Sequence, residues 1–471
     1  MPNFFRAVLP VVAAGVLLAF SLPPFNVAWL GWFAIALLLI AVRRCHPLRA
    51  LELGMLTSGV CGVIHVGWIS SFSRVPAYTP FLWLMLLLGT VSVAAAIARQ
   101  RQTKFAAGVP WVLFVASVGV AAEWLTTFSP LPLHLALSQY RAQHLIQIAS
   151  FTGIWGVSFL IYFVNAALAD AVLQRRFPTA PLGLAAALIA LANGFGTIAR
   201  RLNDAGSSRL PVAAIQDNGS KDAREALTRD AVVQGARLIV WPEYCLGRDF
   251  QPQDRNDPTL RLARQLKTYL VVGYFNDAQP KPNNCVALIG PDGSVQGIYK
   301  KIHLYGSERR LVQPGQEATA FDTDIGRIGM EICFDNCFTG VTRRIAQAGA
   351  QLVVLPTSDP VVQHHVLEHL HAAVLPFRAV ENRVPFVQTN NRGLSQIVDA
   401  TGHITTRAPL AVPIALMGAV SLGGGRGTFF TRYGDWLVYF CLLVVGIGAL
   451  IQIQQRRLEN TVQHEARETI I

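Results

Sequence analysis

Three residues in the second half of this 471-residue chain could together carry covalent chemistry: Glu243, Lys301 and Cys333. A carboxylate can take a proton, a thiol can attack a carbonyl carbon, and a cation can steady the resulting oxyanion, which together make acyl transfer. Leu238-Ile239-Val240-Trp241 is an apolar run closed by Pro242, which predicts a buried strand delivering Glu243 at its end. Gly329-Met330-Glu331-Ile332 leads in the same way into Cys333, and a helical stretch with Thr342, Arg343, Ile345 and Ala346 follows. Lys301 closes the segment Tyr299-Lys300-Lys301. Strand ends in an α/β sheet collect ligands because helix N-termini there offer unpaired N–H groups. A cysteine in that position can have its thiolate stabilised, and neighbouring N–H groups can receive an oxyanion. One such residue alone reads more simply as a buried structural thiol or a surface carboxylate. Three in order at strand ends outweigh that reading.

The elements that must position them are of two kinds. Strands are predicted at 212–215, 238–241, 270–273, 285–289, 328–332, 352–355 and 385–387, with helices between many of them, an α/β pattern. The rest of the chain is far more apolar. Composition is 52% hydrophobic and only 14% charged. Long apolar segments recur at 7–20, 27–42, 51–69, 81–97, 109–125, 155–173 and 180–198, and once more at 436–453. About 20 mostly apolar residues cross a bilayer as a helix, so these segments with their flanks predict eight spans, seven before the α/β stretch and one after it. Ser21-Leu22-Pro23-Pro24-Phe25 runs at once into the next apolar segment, so it predicts a tight re-entry between spans and not a signal-peptide cleavage site.

Basic residues orient these spans. Arg6, then Arg43, Arg44 and Arg49, then Arg99, Arg101 and Lys104, then Arg175 and Arg176, and finally Arg456 and Arg457 fall on one side, whereas the opposite short loops hold little beyond Arg74 and Arg141. The richer side is cytoplasmic by the positive-inside rule, which puts the Glu-Lys-Cys stretch on the other face. The net charge of +12 is thus partly a topology signal. Its scatter over loops, without a basic stripe, argues against a nucleic-acid partner. Of the seven cysteines, Cys61 and Cys441 fall in predicted spans and Cys45 faces the cytoplasm. Cys245, Cys285 and Cys337 remain as partners or spectators on the outer side, with connectivity unreadable from spacing. Gly423-Gly424-Gly425-Arg426-Gly427 lacks the strand and lysine of a phosphate cradle and reads as a linker into the last span. Glu123, near the outer end of the fifth span, could serve a transporter as a proton relay, or be solvated or face a substrate. A transporter or scaffold is the non-enzymatic alternative; it is disfavoured because charges inside the spans are few and no inverted repeat is evident.

Trp241-Pro242-Glu243, Tyr299-Lys300-Lys301-Ile302-His303-Leu304 and Ile332-Cys333-Phe334-Asp335, in that order, resemble the nitrilase (carbon-nitrogen hydrolase) superfamily. Hung between apolar spans, they resemble its membrane branch, the apolipoprotein N-acyltransferase family. Ser21-Leu22-Pro23-Pro24-Phe25 looks like that family's first periplasmic turn, Gly153-Ile154-Trp155-Gly156-Val157-Ser158-Phe159-Leu160 like its sixth-helix entry, and Tyr433-Gly434-Asp435-Trp436 like the entry to its last helix. The resemblance implies a multi-span α-helical membrane protein carrying an α/β nitrilase-like α-β-β-α sandwich domain. The expected division is 1–205 for the helical bundle, 206–428 for a periplasmic catalytic domain, and 429–471 for the last helix and a cytoplasmic tail. It implies that Glu243 deprotonates Cys333, that the thiolate takes an acyl chain from a phospholipid while Lys301 and backbone N–H groups hold the oxyanion, and that the thioester is passed to the α-amine of a diacylglyceryl-cysteine apolipoprotein. The implied partners are therefore a phospholipid donor, an apolipoprotein acceptor and membrane lipids, with no nucleic acid and no cofactor, for a monomer in the bacterial inner membrane. Glu308 lies close to where the family carries a second glutamate that supports the lysine; otherwise it would pair with Arg309 or Arg310. Asp335 stands two after the nucleophile, where nitrilases carry aspartate and the acyltransferases usually glutamate; Phe334 replaces their usual tyrosine.

The chain departs from the family at two loops. Gln216-Asp217-Asn218-Gly219 is not followed by the family's tryptophan, and Thr357-Ser358-Asp359-Pro360 lacks the Trp-Phe-Gly that usually follows its Asn-Asp. A membrane-anchored amidase, using the same residues with water in place of the amine, is the alternative enzyme. His365-Val366-Leu367-Glu368-His369 matches the H-x-x-E-H zinc signature, with His364 and His371 beside it. In the family this helix carries a histidine before Arg-Ala-Ile-Glu, answered here by Arg378-Ala379-Val380-Glu381, and packs on the sheet. No metal is therefore expected.

Overall fold

Near-continuous apolar runs make strands whose two faces are both buried. The computed structural model describes residues 2–66, 78–100, 107–127, 133–177, 179–203, 209–306, 308–359, 366–423 and 427–468. Arg74, Arg101, Lys104, Pro360, His364, His365 and residues 424–426, named above, lie outside the described residues. Twelve described strands form two six-stranded sheets. The first contains β1 (Arg209–Gln216), β2 (Leu238–Val240), β3 (Tyr269–Phe275), β4 (Asn284–Ile289) and β5 (Val295–Lys300). The second contains β6 (Ala320–Thr323), β7 (Gly326–Met330), β8 (Leu352–Thr357), β9 (Phe386–Asn390), β10 (Gln396–Val398) and β11 (Ile404–Arg407). The last strand, β12 (Ile414–Ser421), returns to pair antiparallel with β1, giving the orders β12-β1-β2-β3-β4-β5 and β11-β10-β9-β8-β7-β6.

Residue parity sets the layers. Val212, Ala214, Val240, Val271, Ile328, Met330 and Val354 meet between the sheets. Ala213, Ile215, Ile239, Leu270 and Val272 point the other way, against helices Lys221–Val233 and Pro258–Leu266. Val353, Leu355 and Phe386 cover helices Thr339–Gln347 and Val366–Asn382. The result is the α-β-β-α sandwich. β1, β2 and β3 are parallel, β4 runs back, and β5 therefore points the same way as β3. β7 and β8 are parallel in the facing sheet. Carboxyl ends that share a direction gather their loops on one edge of a sheet, the usual place for a ligand.

Five described helical stretches are long and apolar enough to cross a membrane: Pro47–His65, Gly108–Thr126, Ile154–Gln174, Ala180–Leu202 and Trp436–Gln455. Val8–Ser21, Ala28–Val42 and Leu86–Ala98 are shorter apolar stretches. Over their described residues the eight predicted segments are thus helical, but the second is not one helix. It breaks into a 3-10 turn, Ala28–Trp32, and a helix, Ala34–Val42. Asn165 explains the break: its Oδ1 accepts from Ala36 N (2.9 Å) and its Nδ2 donates to Gly31 O (2.9 Å), satisfying backbone that a straight helix would have paired itself. The Ala180–Leu202 and Trp436–Gln455 stretches leave most of their surface uncovered, with Leu191, Ile198, Leu443 and Leu450 each more than half exposed. So much bare apolar surface is stable only against lipid or a partner.

The sandwich and the bundle share core and hydrogen bonds. Val366, Leu367, Leu370, Val374 and Phe377 of the Val366–Asn382 helix belong to the same apolar cluster as Trp155, Leu145 and Ile146 of the bundle. Glu381 on that helix accepts from Ile154 N (2.8 Å), the first residue of a bundle helix, where a carboxylate also complements the helix dipole. Gly153 just before it has φ +70°, and a Cβ there would lie 2.5 Å from the Phe430 ring. Asp435 accepts from Trp155 Nε1 (2.7 Å) and Thr339 Oγ1 (3.2 Å) at the entry to the last helix.

Candidate active site

β2 and β5, separated in the first sheet by β3 and β4, and β7 of the facing sheet lead into Glu243, Lys301 and Cys333, which meet on the wall of one cavity of about 390 Å³. Glu243 follows Pro242 off β2, and β3 passes so close beneath that a Cβ on Gly273 would meet Pro242 O at 2.7 Å and Glu243 Cα at 2.9 Å. Glu243 Oε1 accepts from Asn284 Nδ2 (2.7 Å) and Lys301 Nζ (2.9 Å). Lys301 Nζ also lies 2.9 Å from Glu308 Oε2. Glu308 therefore pairs with the lysine and not with Arg309 or Arg310. Its Oε1 accepts from Tyr244 OH (2.7 Å) and Asn284 Nδ2 (2.9 Å), and its Oε2 from Tyr305 N (2.9 Å).

Two carboxylates around one ammonium leave a net negative site, and burial sharpens every term. Burial raises the pKa of Glu243 more than Lys301 lowers it. Burial opposes the Lys301 charge, yet Glu243 and its neighbours outweigh it and hold the ammonium well above its ordinary value. Burial also works against Glu308, but Lys301 and the hydrogen bonds prevail and its pKa is lowered. Glu243 is thus the carboxylate of the pair better disposed to hold a proton.

Cys333 opens a 3-10 turn, Cys333–Cys337, directly after β7, and helix Thr339–Gln347 begins only beyond it. Burial pushes the Cys333 thiol well above its ordinary value, the Glu243 charge adds to this, and Lys301 opposes it without prevailing. A thiol in this state needs a base to act as nucleophile. Asp335 lies outside the cavity wall and ties two strand ends together. Its Oδ1 accepts from His303 N (2.7 Å), and its Oδ2 from Tyr299 OH (2.7 Å) and Ile332 N (3.3 Å). It thereby fixes the end of β5, which carries Lys301, against the turn that carries Cys333. Burial lifts its pKa to about 6, against the pull of those N–H and O–H donors.

Several cavity residues escaped sequence reasoning. Asn284, which bridges both glutamates, is a polar residue opening the apolar strand β4; Tyr244 stacks on Phe275 with ring centroids 4.9 Å apart. Asp359 and His371 stand behind Cys333, with His371 Nδ1 2.9 Å from Asp359 Oδ1. The sequence marked the helix bearing His371 as histidine-rich and as the family's helix before Arg378-Ala379-Val380-Glu381, but gave His371 no role at the site. Among the described residues one group has donors close enough to share an ion: Cys333, Asp359 and His371, all within 4.8 Å. Glu368 is buried, and His369 one residue on is half-buried. The remaining wall is apolar, with Phe275, Leu311, Val312, Phe334, Leu367, Leu370 and Val374.

Residues 184–421 match the carbon-nitrogen hydrolase family, and residues 14–167 match the N-terminal domain of apolipoprotein N-acyltransferase. A protein of Geobacter metallireducens named apolipoprotein N-acyltransferase is 31% identical, with 98% of this chain and 98% of its own covered. The chain belongs to the apolipoprotein N-acyltransferase family. Apolipoprotein N-acyltransferase 2 of Treponema denticola is 24% identical over 97% of this chain and 99% of its own. N-carbamoylputrescine amidase of Oryza sativa subsp. japonica is 28% identical over only 42% of this chain and 75% of its own.

Proposed function

We propose that this protein transfers an acyl chain from a phospholipid to the N-terminal amine of a diacylglyceryl-cysteine apolipoprotein, through a thioester on Cys333. One observation carries the reading beyond family membership. The cavity that holds Glu243, Lys301 and Cys333 is walled by Leu367, Leu370 and Val374, and the same side chains belong to the apolar core of the helical bundle. An acyl chain can therefore lie between the reacting groups and the bundle without crossing water, where each exposed CH₂ would cost about 0.8 kcal/mol.

In the first half-reaction Glu243 takes the proton of the Cys333 thiol and the thiolate attacks the ester carbonyl carbon. The oxyanion is held by Lys301 and backbone N–H groups. The ester C–O bond breaks, and the leaving lysophospholipid oxygen takes the proton from Glu243. In the second, the neutral α-amine attacks the thioester carbon, Glu243 takes the amine proton, the C–S bond breaks to give an amide, and Glu243 returns that proton to the leaving sulfur, restoring the free thiol. Glu308 supports Lys301 and Asp335 fixes the two strand ends. In this reading the protein sits in the bacterial inner membrane with the sandwich, about 206–428, on the periplasmic side, between a bundle at 1–205 and the last helix at 429–471; the apolar helices and the excess of basic residues in alternate loops support it. A monomer contains every group the scheme uses. An amidase would need the same three residues and water, and the apolar wall has no task in it.

The test is product analysis: purified protein, a dipalmitoyl phospholipid and a synthetic diacylglyceryl-cysteine peptide should yield lysophospholipid and N-acylated peptide in equal amounts. Free fatty acid in place of N-acylated peptide would move the assignment to the hydrolase.

A further inference from the structure

Cys333 has a φ of +46°, a left-handed conformation that a residue with a Cβ keeps only when its surroundings hold it there. The contact that holds it comes from the neighbouring helix. His371 Nε2 lies 3.1 Å from the carbonyl oxygen of Cys333 and 2.8 Å from Asn336 Oδ1. Its Nδ1 lies 2.9 and 3.0 Å from the two oxygens of Asp359. Asp359 is itself clamped by Asn390, whose Nδ2 donates to Oδ2 (2.7 Å) and whose Oδ1 accepts from Asp359 N (3.2 Å). Both Asp359 and His371 are buried.

We propose that Asp359 and His371 form a positioning pair that holds the backbone of Cys333 in its left-handed state and so aims the thiol into the cavity. The proposal rests on the reading of Cys333 as the nucleophile. A carbonyl oxygen can only accept, so Nε2 carries a proton whichever way the Asn336 amide lies. Nδ1 faces a carboxylate, so it carries one too. The ring is therefore an imidazolium whose charge Asp359 balances: burial works against that charge, and the carboxylate outweighs it. Asp359 fixes the protonation and orientation of an imidazole, as a buried aspartate does in a catalytic triad. Here, however, the second N–H is spent on the backbone of the nucleophile and not on its side chain, so His371 leaves the thiol proton to Glu243. Asp359 Oδ1, 4.0 Å from Cys333 Sγ, also sets how near a carboxylate stands to the thiol.

The experiment is single-turnover formation of the acyl adduct on the detergent-solubilised full chain, read by intact mass, with a dipalmitoyl phospholipid varied in concentration. H371L and D359N should slow adduct formation about 10²-fold, the scale expected for a misplaced reacting group, with the half-saturating phospholipid concentration unchanged. H371Q, whose amide can still donate to the Cys333 carbonyl, should recover most of that loss. A purely structural role would not distinguish glutamine from leucine in this way. The proposal is overturned by H371L or D359N acylating at the wild-type rate, by H371Q falling as far as H371L, or by a change confined to the half-saturating concentration. If H371L does not fold, D359N and H371Q against wild type decide on the same terms. Absence of any adduct on the wild-type chain is the separate failure of the nucleophile reading, and it removes the proposal as well.

Discussion

Replacing Lys301 by methionine should unbalance the site in a way that can be measured apart from catalysis. The ammonium sits 2.9 Å from Glu243 and 2.9 Å from Glu308, and all three side chains are largely or wholly buried. At an effective dielectric constant near 20 each contact is worth about 6 kcal/mol of gross Coulomb attraction, most of it offset by desolvation. The net cost of removing one member of a buried pair is about 3–5 kcal/mol, because the uncompensated charge remains behind. For a domain of this size that lowers the melting temperature by on the order of 10 °C. In K301M the two carboxylates share Asn284 and repel, so their pKa values rise above the ordinary carboxylate range. A raised carboxylate contributes stability below its ordinary pKa and loses it as pH rises through the new value. The deficit should therefore be large at pH 8 and small at pH 4.5. Adding E308Q removes one of the two charges, and the double variant should be more stable than the sum of the single losses by about 2 kcal/mol. Tryptophan fluorescence on heating in detergent reads all of this. K301M melting within about 2 °C of wild type at pH 8, or the same deficit at both pH values, would refute the electrostatic account.

Three further outcomes follow from the same geometry. E243Q should slow adduct formation by about 10²–10⁴-fold, as for a lost general base, while melting at the same or a higher temperature, because burial raises the Glu243 pKa and its charge opposes folding above the ordinary value; retained acylation would contradict this, and so would a wild-type acid limb at or below the ordinary carboxylate range. Glu331 is fully buried, and burial pushes its pKa to about 8 against the pull of the Thr342 hydroxyl. At pH 7 that opposes folding by about 3 kcal/mol at ~1.4 kcal/mol per unit, so E331Q should raise the melting temperature at pH 7 and not at pH 4, and an equal shift at both would count against it. L370W should narrow the apolar end of the cavity and slow acylation from long-chain phospholipids more than from short-chain ones; equal slowing would mean that the acyl chain lies elsewhere.

Buried parallel strands were legible because both faces are apolar: β1, β2, β3 and β8 appear in the sequence as short apolar runs, and β7 as part of the Ile328-to-Ile332 segment that leads into Cys333. β5, β6, β10, β11 and β12 were not: Val295–Lys300 has one fully buried position, Ile404–Arg407 has none, and Gln396–Val398 is buried but only three residues long. The interrupted second span was hidden because its cause, Asn165, lies 129 residues from Ala36. Glu243, Lys301 and Cys333 were legible for the same reason as the strands that carry them. Their partners were not. Asn284 reaches Glu243 across 41 residues and His371 reaches the Cys333 carbonyl across 38, and no local pattern marks a polar residue whose partner is assembled by the sheet. Burial, which raises the pKa of the Cys333 thiol and makes it depend on a base, is likewise a property of the assembled cavity.

The central claim is a thioester on Cys333 that an amine can discharge. Intact mass spectrometry of the purified protein after incubation with a dipalmitoyl phospholipid, beside C333A, tests it most directly. The account predicts a mass increase of one palmitoyl group on the wild-type chain only, removed on adding a diacylglyceryl-cysteine peptide with a free amine and not on adding the same peptide with its amine acetylated. An adduct that persists in C333A, or one that both peptides leave untouched, would contradict it.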